Sequence, residues 1–128
     1  MNYGYKRELS LSFDEATEKT KEELKKEGFG VLTEINVKDT FKKKLDIEYD
    51  NYIILGACNP QFAHKALESE KEIGLLLPCN VIIYEEDGVV FVSAIVPTVA
   101  MSVVDNDDLA NVAVEVEWKI KRAVDNIN

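Results

Sequence analysis

The architecture of this chain follows from residues 52–84, YIILGACNPQFAHKALESEKEIGLLLPCNVIIY. The continuous apolar run at 52–57 predicts a short strand that is buried on both faces. Asn59 and Pro60 then suit the N-cap and first turn of a helix over residues 60–69, because proline lacks only an amide that would have no partner there. A Cys-Asn pair therefore marks the junction between strand and helix.

The second half of this stretch predicts another strand, interrupted at Pro78. Residues 74–77 and 81–84 are both apolar, but proline cannot donate to a strand ladder, so the interruption indicates an edge, a bend or a bulge. The sequence Glu-Asp-Gly at 86–88 is typical of a hairpin turn, and the β-branched run at 89–96 completes the hairpin. Since consecutive elements are usually adjacent, we expect the strands before and after the helix to pair.

The first part of the chain predicts strands at 3–11 and 30–37, and helices at 13–27 and from Asp39 onward. Ser12 or Asp14 is expected to cap the first helix, and Asp39 the second. Alternation along the second strand places Glu34 on a face that is partly buried. The whole chain, residues 1–128, is therefore predicted to form a single domain that contains both strands and helices.

The clearest helix is the last one, with capping and acidic residues at 105–108. Its apolar stripe, expected to pack on the sheet, consists of Leu109, Val112, Ala113, Val116, Ile120, Ala123, Val124 and Ile127. Ala110, Val114 and Trp118 form a second apolar strip that a monomer would leave exposed. A homodimer would cover this strip, and the alternative is burial between the sheet and a neighbouring helix.

Composition and charge limit the classes of function. With 128 residues and 46% hydrophobic side chains, the chain can bury one core. Its 24 acidic and 15 basic side chains give a net charge of -9, which opposes binding to nucleic acid or anionic lipid. No run is long and apolar enough to span a membrane, and the start lacks a secretory signal, so we expect a cytoplasmic protein. In a reducing compartment its two cysteines would remain thiols.

Those cysteines, Cys58 and Cys79, are the candidate ligand-binding residues. Cys58 precedes a helix N-terminus, where amides and the helix dipole stabilise a thiolate. Cys79 lies at the proline-induced irregularity, a feature often found beside functional sites. If the two strands pair, the thiols could bind a soft metal ion or cycle through a disulfide. The competing interpretation is that both are buried core residues.

Other residues could complete such a site. Asn59 and Asn80 are candidates for ligand contacts, although asparagine more commonly satisfies local amides in caps and turns. Met101, His64 and Glu34 could add metal ligands; the competing interpretations are a gap-filling methionine, a solvent-facing histidine and an exposed carboxylate. The sequence contains neither a glycine-rich phosphate loop nor the common metalloprotease and hydrolase motifs.

Four segments carry a family resemblance: GFGVLTEINVKDTFKKKL at 28–45, ILGACNPQFAHKAL at 54–67, IGLLLPCNVIIYEEDG at 73–88, and the segment at 97–106 that ends in SVVDN. They resemble, over nearly the whole chain, the small bacterial and archaeal family called domain of unknown function 302. The resemblance implies a single α+β domain, with helices packed against a mainly antiparallel sheet, and it also implies a homodimer. It implies no established activity.

The leading hypothesis is a small-ligand or soft-metal binding module whose site contains Cys58 and Cys79. One alternative is a thiol-dependent redox enzyme, with Cys58 as the nucleophile and Cys79 as the resolving thiol. The other is a structural or partner-binding homodimer in which both thiols are inert. The three hypotheses differ in what they require of the two thiols.

Overall fold

The computed structural model describes residues 2–128, which form one five-stranded antiparallel sheet with helices packed on it. The strands are β1 (Gly4–Leu9), β2 (Gly30–Asn36), β3 (Tyr52–Cys58), β4 (Cys79–Glu86) and β5 (Val89–Ile95), in the spatial order β1-β5-β4-β3-β2. The helices are α1 (Phe13–Lys26), α2 (Val37–Leu45), α3 (Pro60–Ser69), α4 (Pro97–Ala100) and α5 (Asp107–Asp125). Two short 3₁₀ helices occupy Lys71–Leu76 and Met101–Val103. The predicted α+β class is confirmed.

The core lies between the sheet and the helix pair α1 and α5. Leu55 on β3 is opposite Val81 on β4, and both side chains are fully buried. They pack in one cluster with Leu24 of α1 and Ile120 of α5. Because β3 and β4 have neighbours on both sides, their apolar runs are buried at the centre of the sheet. The expectation that these two strands pair is confirmed.

The opposite face of the sheet carries a row of aromatic side chains. Tyr52, Tyr84 and Phe91 are register neighbours on β3, β4 and β5, and their ring centroids lie 5.6 and 5.3 Å apart along the row. The Lys6 ammonium on β1 lies 4.3 Å from the Phe91 centroid. The three aromatic side chains are half-buried, since they shield one another.

The N-caps of α1 and α2 can be compared with those predicted from the sequence. Ser12, and not Asp14, caps α1: its hydroxyl accepts from the Glu15 amide at 3.2 Å, and the Glu15 carboxylate accepts from the Ser12 amide. The prediction that Asp39 caps α2 is wrong. The cap is Asn36, whose carbonyl oxygen accepts from the Asp39 amide at 3.0 Å, because β2 runs directly into the helix.

The segment before Pro78 is not a strand as predicted. Lys71–Leu76 is a 3₁₀ helix that continues the turn from α3 and buries Ile73, whereas Leu75 is 83% exposed. Burial of one side chain between α3 and α5 thus outweighs the strand propensity of an apolar run. Glu34 was expected on a partly buried face, but it is exposed on the edge strand β2 and forms an ion pair with Lys21 at 2.6 Å.

Helix α5 has the two apolar surfaces that its sequence predicts. The stripe that begins at Leu109 is buried, first against α3 and then against the sheet and α1, and Asn106 caps the helix by accepting from the Leu109 amide at 3.1 Å. On the outer strip, Val114 is 54% and Trp118 is 68% exposed in the single chain. Within residues 2–128, no helix combines the length and apolar character needed to cross a bilayer.

Candidate functional site

An apolar cavity of ≈ 280 Å³ lies where β3 ends and β4 begins. β3 contributes Ala57 and Cys58 to its lining, and β4 contributes Cys79. The sheet register places Ala57 opposite Cys79, so Cys58 and Cys79 are one residue apart across the strand pair. The structure therefore brings the two predicted thiols to one cavity.

Helices α3 and α5 form the walls of this cavity. The two helices pack against each other, and both present small side chains to it, among them Ala66 of α3 and Ala113 of α5. Larger residues, including Phe62 and Val116, complete the walls. Because alanine fills so little of the space between two helices, the packing leaves a void that longer side chains would close.

A close backbone approach shapes the sheet end of the cavity. Pro78, which lines the cavity, packs over Gly56 of β3: a Cβ atom at Gly56 would lie 2.8 Å from the Pro78 ring and would also overlap the hydroxyl of Thr33. Only glycine fits there, although its backbone has ordinary strand geometry. The absence of a side chain at Gly56 therefore allows Pro78, the residue before Cys79, to pack closely against β3.

Cys79 is buried and uncharged at neutral pH. Burial, and to a smaller extent the charge of Cys58, raises the pKa of the Cys79 thiol from its ordinary value of 9.0 to about 11. Metal ligation and nucleophilic attack both require the thiolate. The environment of Cys79 therefore favours an apolar wall over a metal ligand or a reactive group.

Cys58 and Asn59 lie on the more exposed side of the cavity. Both line it, and both are half-buried. Asn59 occupies the N-cap position of α3 but makes no side-chain capping bond; its amide instead donates to the Glu27 carbonyl at 3.4 Å. Gly28 makes room for this contact, since a Cβ there would lie 2.9 Å from the Asn59 amide nitrogen. Asn59 thus joins the end of α1 to the start of α3.

The remaining candidates divide between the cavity and the surface. Met101 is buried and lines the cavity. Asn80 is exposed beside Gly56, and Glu34 pairs with Lys21 on the edge strand. The His64 side chain is 76% exposed and lies 3.4 Å from Glu68. Of the predicted residues, only the two cysteines, Asn59 and Met101 lie together.

Metal-binding groups are sparse around these thiols. Among the residues that the structure describes, no set of three or more His, Cys, Asp or Glu side chains is placed to hold a metal ion. Cys58 and Cys79 are both free thiols. A soft metal would therefore depend on these two sulfurs and the Met101 thioether.

Several lining residues were not singled out from the sequence as site residues. Phe29 follows α1, and Leu32 lies at an irregularity in β2 where the register with β3 shifts. Ala66 and Ala113 were part of predicted helix faces that looked like ordinary core. The alanines on the apolar faces of the two helices were the only sign of the cavity in the sequence. The sequence does not show that Ala66 and Ala113 lie close together, because this depends on the tertiary packing.

The molecule is thus an α+β domain with an apolar cavity at one end of its central strand pair. Residues 5–127 match the family model described as domain of unknown function DUF302, and the chain belongs to that family. It is also similar to the crystal structure of an uncharacterized conserved DUF302 protein from Bacillus stearothermophilus, with 28% sequence identity, a TM-score of 0.94 and complete coverage of both chains. No curated protein matches the sequence.

Proposed function

We propose that this domain binds a small, mainly apolar molecule in the cavity between α3, α5 and the ends of β3 and β4. The observation that carries this proposal is the cavity lining, in which every residue except Asn59 and the two cysteines is apolar. Ligand sites are typically concave and apolar with a few polar groups that fix orientation. In this cavity the Asn59 amide and the Cys58 thiol are the polar groups available for that role.

The volume limits the size of the ligand. The cavity of ≈ 280 Å³ is about twice as large as the ~150 Å³ engineered cavity that accommodates benzene. A ligand of about a dozen non-hydrogen atoms would fill it, and at about 0.5 kcal/mol per atom its dissociation constant would be roughly tens of micromolar. Such a ligand has the size of a short acyl chain or a two-ring aromatic compound.

Cys79 distinguishes this proposal from soft-metal binding and from thiol redox chemistry. Its raised pKa keeps the sulfur protonated at neutral pH, so a metal ion would first have to displace this proton, and only a small fraction of the thiol is in the thiolate form that attacks a disulfide. The same protonated thiol fits the wall of an apolar site, because neutral cysteine behaves as a small hydrophobe.

The test is titration with 1-aminonaphthalene, a neutral fluorophore whose emission rises in an apolar environment. We expect saturable binding by the unaltered protein and at least tenfold weaker binding by Ala113→Leu, which places a larger side chain in the cavity. Ala110→Leu is the matched control, since it makes the same change on the exposed side of the same helix and should bind normally. Thermal unfolding of both variants checks that they are folded.

A second measurement locates the bound fluorophore. Saturating 1-aminonaphthalene should slow alkylation of Cys58, which lines the cavity and is half-buried. Equal binding by Ala113→Leu and Ala110→Leu, or alkylation of Cys58 at an unchanged rate, would refute the proposal. The hypothesis of a structural homodimer with inert thiols would then be the better account.

A further inference from the structure

A second, polar cleft adjoins the apolar cavity. This cleft, of ≈ 800 Å³, lies between the end of α1, the start of α3 and the middle of α5. Asn59 and Phe62 line both spaces, so the cleft and the cavity meet at these two residues. A molecule that extends from one space into the other would cross from an apolar to a charged environment.

Three lysines line the cleft, although the chain as a whole carries a net charge of -9. Lys26 is already paired with Glu23 at 2.6 Å. Lys65 and Lys119 have no carboxylate within 4 Å among residues 2–128, and Lys119 is half-buried. In a protein with an excess of acidic side chains, two lysines without such partners in one cleft create a local site for an anion.

The acidic residues of the cleft do not cancel this charge. Both oxygens of Glu27 accept hydrogen bonds from Arg122, at 2.7 and 2.9 Å, and the Arg122 guanidinium holds the pKa of Glu27 below its ordinary value. The Glu27 charge is therefore compensated chiefly by Arg122, which is not a lining residue of the cleft, with a smaller contribution from Lys119. Glu115 is the one other carboxylate among the described lining residues, so three lysines of the cleft stand against two carboxylates.

We infer that the ligand is an amphipathic anion, whose apolar body occupies the cavity and whose acidic group lies in the cleft beside Lys65 and Lys119. This inference rests on the proposed function and specifies the chemical class of the ligand. The Lys65 ammonium lies 5.4 Å from the centroid of Phe62, the ring at the junction, so its charge is close to the boundary between the two spaces. A short-chain carboxylate is the simplest compound that fits both the apolar cavity and the charged cleft.

Three eight-carbon compounds with the same chain and different head groups test this inference by displacing 1-aminonaphthalene. At pH 7.5 and low salt, octanoate should compete about tenfold more strongly than octan-1-ol, since two nearby ammonium groups attract its carboxylate and low salt screens this attraction little. Octylamine should compete least. The Lys65→Gln/Lys119→Gln variant should lose the preference for octanoate while its affinity for octan-1-ol stays unchanged.

The matched control is Lys43→Gln/Lys44→Gln, which makes the same change in net charge on α2, outside both spaces. This variant should keep the preference for octanoate. Equal competition by octanoate and octan-1-ol, or a preference that survives in Lys65→Gln/Lys119→Gln, would overturn the inference and leave the proposed function standing. Failure of the fluorophore and of octan-1-ol to bind would refute the proposed function itself.

Discussion

The protonation state of Cys79 makes a prediction about stability at alkaline pH. The folded protein raises the pKa of this thiol from 9.0 to about 11, chiefly because the side chain is buried. The unfolded chain therefore loses the Cys79 proton at lower pH than the folded chain does. The protonated Cys79 thiol therefore makes its full contribution to the free energy of unfolding below pH 9. This contribution is lost as the pH rises from 9 toward 11.

The size of the loss follows from the same shift. A difference of two pKa units corresponds to about 2.7 kcal/mol when the transition is complete. About half of this, ~1.4 kcal/mol, should be lost at pH 10, because there the unfolded thiol is mostly ionised and the folded thiol is mostly protonated. That is a measurable fraction of the ~5–15 kcal/mol stability of an ordinary domain.

The assay is urea unfolding of the unaltered protein and of Cys79→Ala at a series of pH values between 7.5 and 10.5. Lysines and tyrosines also titrate in this range, but their contributions cancel in the difference between the two proteins. We expect the difference in free energy of unfolding between the two proteins to be constant below pH 8.5. By pH 10 the unaltered protein should have lost ~1.4 kcal/mol relative to Cys79→Ala.

If the difference in free energy of unfolding between the two proteins does not change up to pH 10, the explanation is refuted. The Cys79 thiol would then ionise equally in the folded and unfolded states. A Cys58→Ser background separates the two causes of the shift. Burial is the larger cause, so most of the pH dependence should remain when the neighbouring charge of Cys58 is removed. Loss of the whole effect in that background would show that the charge, and not burial, dominates.

Two further predictions concern backbone geometry and self-association. Gly28→Ala should lower the free energy of unfolding by about 1–2 kcal/mol, because residue 28 has a φ of 88° and a Cβ would lie 2.9 Å from the Asn59 amide nitrogen. Gly30→Ala, where a Cβ meets open space, should change it by less than about 0.5 kcal/mol, and equal effects in urea unfolding would contradict the explanation. The homodimer expected from the outer strip of α5 stays a prediction: Trp118→Glu should yield monomers by light scattering, and a persistent dimer would exclude that surface.

The central part of the fold was predictable because local signals and tertiary packing agree there. The apolar run of β3, the Asn59-Pro60 start of α3 and the hairpin at 86–88 each have one strongly favoured conformation. At Lys71–Leu76 the signals disagree. An apolar run favours a strand, but the packing of Ile73 between two helices determines a 3₁₀ helix.

The candidate site was only half predictable for a related reason. Strand pairing was enough to expect Cys58 and Cys79 near each other. The cavity depends on alanines of two helices that are distant in the sequence, and a local pattern cannot distinguish alanine that packs tightly from alanine that leaves a void. The cleft beside it depends on Lys65 and Lys119, which in sequence look like ordinary solvated helix positions.

The position of Asn59 connects these two parts of the site. Its side chain lines both the cavity and the cleft, and its amide is held by the Glu27 carbonyl at the end of α1. Glu27 in turn binds Arg122 of α5 through its carboxylate. One residue at the end of α1 therefore fixes the helices on either side of the cleft. Because these hydrogen bonds hold the walls of the cleft relative to one another, an anion of the class inferred above would meet a preorganised surface, which favours affinity for a small compound.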